Sequence, residues 1–157
     1  MASLKVPESV RKAAKKGLEM RRKAPKSQKG GITRKEANKQ GIGSGIQRAS
    51  NLMRGSVSES TIPRMVSFFA RHGANIQKAR SKPSEHRRMR IADLLWGGAA
   101  GERWANAQKR KLERQSKARK KKWFKRLKTN TRKELEFANN ARTGEKNIIV
   151  VAYVVVF

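Results

Sequence analysis

Three groups of side chains in this sequence have types and spacings suited to chemistry, and the largest is cationic. Arg11, Lys12, Lys15 and Lys16 crowd one short stretch near the start. From 109 to 128, Lys109, Arg110, Lys111, Arg114, Lys117, Arg119, Lys120, Lys121, Lys122, Lys125, Arg126 and Lys128 are opposed only by Glu113. Lysine and arginine in such density bind phosphate, because each one placed on a phosphate releases condensed counterions and the gains add. Trp123-Phe124 lies inside the densest run. Two adjacent aromatics there are suited to stacking on a base, lying on lipid or docking on a protein neighbour. The competing reading of the run is an unstructured charged tail with two incidental aromatics.

The second group is acid–base. His72 and His86 are the two histidines, and Glu85, Asp93 and Glu102 are the carboxylates nearby. Metal-assisted phosphoryl transfer needs carboxylates clustered around divalent ions, and these three are scattered among arginines. No carboxylate orients either histidine, and no serine stands in a nucleophile motif. The expectation is a protein that is not an enzyme, with no metal site, no cofactor and no small-molecule substrate. His72 is expected at a helix C-terminus, favoured there by the dipole, and Asp93 in a salt bridge with Arg87, Arg90 or Arg103.

The third group is the glycine-rich Gly41-Ile42-Gly43-Ser44-Gly45. A phosphate loop of the nucleotide-binding kind needs a buried strand before it and Lys-Ser/Thr at its end. Here a short polar helix precedes it and Gln47-Arg48 follows, so it reads as a turn that resets direction. Its backbone amides could still meet a phosphate at the next helix's N-terminus.

The elements that must carry these groups follow from hydrophobic spacing. The chain has 157 residues, 36% hydrophobic, with Lys+Arg 40 against Asp+Glu 11 and a formal net charge of +29. Mean hydropathy is -0.82. A charge balance of this kind calls for an external anion: nucleic acid first, then an anionic membrane, then an acidic protein. With no cysteine, disulfides and cysteine-based zinc sites are excluded and the redox compartment is left open. The start lacks the apolar core of a secretory signal. The longest apolar run is about half a membrane span, so no membrane span is expected.

The most protein-like stretch is 62–107. Ile62, Met65, Val66 and Phe69 fall at helical spacing, as do Ile91, Leu94 and Leu95, which predicts two short helices meeting across a turn. Gly97-Gly98 after Trp96 permits a sharp redirection, with Trp96 and Trp104 near that corner. Earlier, Pro7-Glu8-Ser9 opens a helix with Val10, Ala13, Ala14, Gly17 and Leu18 on one side and the four cations on the other. Residues 21–31 read as a mobile basic linker. Thr33-Arg34-Lys35-Glu36 has the capping-box pattern and starts a short helix to about Gln40. A helix over 46–53 follows, then Ser58 or Ser60 caps a helix that ends near His72 and Gly73. Beyond Trp104 one long basic helix is expected. Asn147-Ile148-Ile149-Val150-Val151-Ala152-Tyr153-Val154-Val155-Val156-Phe157 reads as a strand, with Ile148, Val150, Tyr153, Val155 and Phe157 as its partner-binding residues. Such a strand adds to a sheet supplied by another copy or another protein.

The fold class expected is therefore mainly α: a small multi-helix core, a long basic C-terminal helix and one apolar C-terminal β-strand. The boundaries are a disordered start at 1–5, a helical domain at 6–107, a basic helix or tail at 108–140, and a linker with the strand at 141–157.

Four ordered segments carry a resemblance. Val6-Pro7-Glu8-Ser9-Val10-Arg11-Lys12-Ala13-Ala14-Lys15-Lys16-Gly17-Leu18-Glu19 is the first and Gly43-Ser44-Gly45-Ile46-Gln47-Arg48-Ala49 the second. Val57-Ser58 with Arg64-Met65-Val66-Ser67-Phe68-Phe69-Ala70-Arg71-His72 is the third, and Leu94-Leu95-Trp96-Gly97-Gly98 with Gly101-Glu102-Arg103-Trp104-Ala105 the fourth. Together they resemble a small domain encoded by tailed bacteriophages, especially marine and cyanobacterial ones, over residues 6–107. Arg87-Arg88-Met89-Arg90 stands where that family often has a glycine- and tyrosine-containing segment. The basic helix and the terminal strand lie outside the resemblance, which implies a viral origin and a mostly helical module.

The leading expectation is a phage-encoded, sequence-nonspecific nucleic-acid-binding protein, with DNA ahead of RNA as partner. Its phosphate contacts would be Arg11, Lys12, Lys15, Lys16, Lys109, Arg110, Arg114, Lys117, Lys120, Lys121, Lys125 and Arg126, joined by Trp123. No residue pattern identifies a helix that reads bases. The alternative is a structural virion component, a minor capsid, cement or connector protein anchored by its C-terminal strand. A host-takeover factor is a third reading. The expected location is the host cytoplasm during infection, the inside of the virion, or both.

Overall fold

Val10, Ala14 and Gly17 recur at helical steps and are all buried, so the first helix forms with a narrow, small-residue face turned inward. It is α1, Glu8–Lys23, entered through Pro7 with Glu8 in its first turn. In the computed structural model, which describes residues 3–39 and 44–142, it is followed by a 3₁₀ turn at Lys26–Gln28, α2 at Arg34–Lys39 and α3 at Gly45–Met53. Then come α4 at Thr61–Ser81, α5 at Arg87–Leu95 and α6 at Gly98–Arg142. The protein is mainly helical.

Two short strands complete the described residues. β1 is Ser3–Lys5 and β2 is Ser56–Ser58. They pair antiparallel, Leu4 opposite Val57, and the amide of Val6 continues the ladder to Gly55 O at 2.8 Å. Residues 3–5 were expected as a disordered start and are instead the edge of this ribbon. A two-stranded ribbon is marginal alone; this one is held by Val57 and Val6, both buried in the core.

The backbone divides into two compact units, 1–112 and 113–157. In the first, α5 is the hub, packed against α1, α3 and α4, and α1 also packs on α3. Leu52, Met65, Phe69, Ile76, Ile91, Leu95 and Trp96 form the centre of the core. Full burial of each large side chain is worth about 1.5–3 kcal/mol. Trp96 stacks on Phe68 with ring centroids 4.5 Å apart and planes 7° from parallel. Gly97 and Gly98, with φ of 97° and 61°, then turn the chain from α5 into α6. That corner was legible in the sequence because glycine enters this backbone region without steric cost.

Three further expectations are corrected. The segment 21–31 is not a free linker: α1 continues to Lys23, Ala24 and Gly30 are buried, and Arg21 donates to Gly30 O at 3.0 Å and Gly31 O at 3.4 Å. The helix expected to stop near Gly73 runs on to Ser81, because Ile76 and Ala79 continue the apolar face of Met65 and Phe69 and burial there outweighs one glycine. His72 accordingly lies inside α4, with its ring 5.0 Å from that of Phe68, and not at a helix terminus. The apolar terminal strand, with Ile148, Val150, Tyr153, Val155 and Phe157, lies outside the described residues.

Candidate nucleic-acid interface

On α1 the residues facing away from Val10, Ala14 and Gly17 are Arg11, Lys12, Lys15 and Lys16, all exposed. The buried face is held at close range. A Cβ on Gly17 would stand 2.8 Å from the backbone nitrogen of Leu95 and 2.9 Å from the carbonyl carbon of Leu94, so α1 lies directly on the backbone of α5. That contact fixes the outward direction of the four cations. Arg11 is partly committed, its Nε donating to Met53 O at 3.3 Å at the end of α3. Lys12 meets Glu8 at 2.9 Å, one turn earlier. The Glu8 carboxyl is held below its ordinary range by the hydrogen bond and charge of Lys12. Both side chains are well exposed, and an ion pair of this kind contributes little. Among the described residues, no ion pair engages Lys15 or Lys16.

Lys109 and Arg110 are exposed on the part of α6 that belongs to the first unit. In the second unit Arg114, Lys117, Lys120, Lys121, Lys125 and Arg126 are all exposed. Arg114, Lys117, Lys121, Lys125, Lys128 and Arg132 follow one another at steps of three and four, which places them in a single stripe along the helix. One cation is presented per turn, about 5.4 Å apart. Like charges at such spacing destabilise a helix by about 0.2–0.5 kcal/mol per neighbouring pair. Arg132 meets Glu136 at 3.3 Å with both side chains solvated, and an ion pair of this kind contributes little. Trp123 and Phe124, 56% and 55% exposed, touch edge to face at 4.9 Å. On the helical wheel Trp123 and Leu127 fall opposite this stripe, with Arg119, Lys120 and Arg126 within one turn of Trp123. Phe124 lies at the stripe's edge near Lys121 and Lys128, so cations surround the helix and flank both aromatics.

The ion pairs that do organise the first unit centre on Asp93, which is completely buried. Arg80 grips it with both ends of the guanidinium, Nε to Oδ2 at 3.1 Å and Nη2 to Oδ1 at 2.8 Å, and reaches Glu102 Oε2 at 2.8 Å through Nη1. Arg90 adds a further bond to Asp93. The hydrogen bonds from Arg80 to Asp93, ahead of those to Glu102, push the Arg80 guanidinium above its ordinary value. The cluster ties α4, α5 and α6 together. Of the arginines expected for Asp93, Arg90 is present; Arg80 was missed because α4 was expected to end at Gly73. Its signal was the continued apolar spacing through Ile76 and Ala79, which carries Arg80 onto the same side. Asp93 and Glu102 are thus spent on structure. No group of three or more potential metal ligands occurs among the described residues, and no helix among them is long and apolar enough to cross a membrane.

Comparison of the chain with protein-family models, with curated proteins and with solved structures found no match.

Proposed function

We propose that this chain is a phage-encoded, sequence-nonspecific nucleic-acid-binding protein, DNA being its first partner, in which Lys and Arg side chains of α1 and α6 lie along phosphates. The observation that carries the reading is the stripe of exposed cations from Arg114 through Lys128 on α6. Such a helix repels itself and is relieved by a polyanion whose charges recur at a comparable interval. The exposed cations of α1 offer a second, shorter contact. Phage origin rests on the four ordered segments, which fall on α1, on α3, on β2 with α4, and on the α5–α6 corner. The test is a salt titration of binding to duplex DNA of arbitrary sequence. The logarithmic slope is expected near -0.9 per phosphate neutralised, so that about six contacts lose on the order of a thousandfold in affinity between about 50 and 200 mM salt. Affinity that barely changes over that range rejects the reading.

The second reading is a minor capsid, cement or connector protein, and the apolar sequence Ile148 to Phe157 favours it. A β-branched, uncharged end invites pairing with a sheet of a neighbouring protein. Mass spectrometry of purified particles separates the two: stoichiometric presence supports the virion role, and absence supports a nucleic-acid-binding protein of the infected cell.

A further inference from the structure

The first unit holds an open cleft of about 670 Å³ whose walls include Phe68, Trp96, Arg64, Ser67, Arg71 and His72. A volume of this order suits a small organic ligand, and the chemistry of the walls is of two kinds. The α4 residues Arg64, Ser67, Phe68, Arg71 and His72 step along one face of that helix. Arg64 and Arg71 are two turns apart, about 10 Å along the axis, with Ser67 between them. Arg71 Nε donates to Ser67 O at 3.3 Å, which ties its guanidinium to the preceding turn of the helix. Behind this row stands an aromatic wall: Trp96 stacked on Phe68, and His72 at 5.0 Å from Phe68.

A third arginine sharpens the picture. Arg48, on α3, is only 7% exposed, and its guanidinium carbon lies 5.4 Å from the Trp96 ring. Its Nη1 donates to Thr61 Oγ1 at 3.0 Å, while its Nε is buried with no partner. Unlike Arg80 and Arg90, which meet carboxylates, Arg48, Arg64 and Arg71 have no ion pair among the described residues. A buried guanidinium without a counter-ion is costly, and here it adds positive potential beside a wall already edged by two further cations.

We propose that this cleft binds one unpaired nucleotide, its phosphate held between Arg64 and Arg71 over Ser67, and its base packed against His72, Phe68 and Trp96. Paired arginines supply charge-assisted bonds to the phosphate oxygens. Because Phe68 and Trp96 are stacked on each other with Arg48 over Trp96, it is the partly exposed His72 ring and the edges of that stack that supply an apolar surface for the base. Inorganic phosphate uses only the first of these and a nucleoside only the second, so the nucleotide is bound better than either. The inference deepens the nucleic-acid reading by adding a strand-end or unpaired-base site to the phosphate-binding helices, but its residues all belong to the first unit.

The test is equilibrium dialysis of the full chain at about physiological salt against adenosine 5′-monophosphate, adenosine, inorganic phosphate and a 5′-phosphorylated trinucleotide. The double variant Arg64→Gln/Arg71→Gln changes two exposed side chains, and circular dichroism checks that it folds. Lys78→Gln/Arg103→Gln removes the same charge outside the cleft and controls for general attraction. The expected result is that the monophosphate binds more tightly than phosphate or adenosine. Its affinity should fall at least about tenfold in the cleft variant and less than twofold in the control. Equal weakening in both variants, or phosphate binding as tightly as the monophosphate, overturns the site. A trinucleotide that binds more tightly than the monophosphate identifies a strand as the source of the ligand; equal or weaker binding identifies the free nucleotide. Monophosphate binding that survives while duplex DNA shows no salt-dependent binding leaves the cleft standing and removes the nucleic-acid reading, so the two fail separately.

Discussion

Asp93 concentrates the strongest interactions of the first unit on one carboxylate. It has no exposed surface and accepts from Arg80 and Arg90, so removing it leaves Arg90 without its carboxylate and Arg80 with Glu102 alone. Asp93→Ala is expected to cost about 3–5 kcal/mol, read as a shift of the denaturant midpoint. A second residue-scale prediction concerns pH. Glu36 accepts from both the amide and the hydroxyl of Thr33 at 2.7 Å, while its own amide donates to Thr33 Oγ1 at 3.2 Å. The backbone bond first, then the side-chain bond, hold its pKa below the ordinary carboxylate value. A carboxyl whose folded pKa is depressed contributes its full stabilisation above the unfolded value and loses it as pH falls through the folded one. The carboxyl resonance of Glu36 should therefore titrate below the midpoint of an ordinary exposed glutamate, and Thr33→Ala should raise that midpoint. This capping box was readable in the sequence because both partners lie within one turn, whereas Arg80 and Asp93, thirteen positions apart, meet only through the packing of α4 on α5.

At the scale of elements, two glycines on helices behave oppositely. Gly17 lies where α1 touches the backbone of α5, and an added Cβ would come within 2.8 Å of Leu95 N. Overpacking of this kind costs about 1–3 kcal/mol, more than the roughly 1 kcal/mol that alanine gains in a helix interior. Gly73 sits inside α4 with nothing within 4 Å of the same position. Gly17→Ala is therefore expected to lower the melting temperature, and Gly73→Ala to raise stability by about 0.5–1 kcal/mol, both measurable by thermal or chemical unfolding. The second result would also distinguish a continuous α4 from a helix capped at Gly73, where alanine destabilises. α1 was legible because its apolar positions and its proline-acid start agree. The length of α4 was not, because a glycine followed by polar residues resembles a stop, and only the burial of Ile76 and Ala79 against other elements overrides it.

For the whole molecule the governing quantity is the net charge of +29. Repulsion on that scale is screened by salt and neutralised by polyanions, so the melting temperature should rise on adding either, with a short duplex acting at far lower concentration. The two compact units give a further prediction. Among the described residues the buried core all precedes Leu112, so a chain ending there should retain cooperative unfolding while its affinity for duplex DNA and its salt slope both fall. Unchanged affinity would remove the cations of the second unit from the interface. The two-stranded ribbon and the ordered 21–31 segment were not legible at this scale: three-residue strands with one apolar position each carry no period, and Arg21 finds its acceptors only once Gly30 and Gly31 have folded back along α1.

Taken by itself, the sequence determined the helical class, the outward cations of α1 and α6, the glycine corner after Trp96 and the capping box. Each depends on composition or on residues within about one or two turns of one another, where spacing fixes which side chains share a face. The tertiary structure alone decided where α4 ends, that residues 3–5 and 56–58 pair, that Arg80 serves Asp93, and that Arg64, Arg71 and an aromatic wall surround one cleft. Those outcomes depend on contacts between residues far apart in the chain, and burial in a shared core outweighs the local preferences that a linear reading can see.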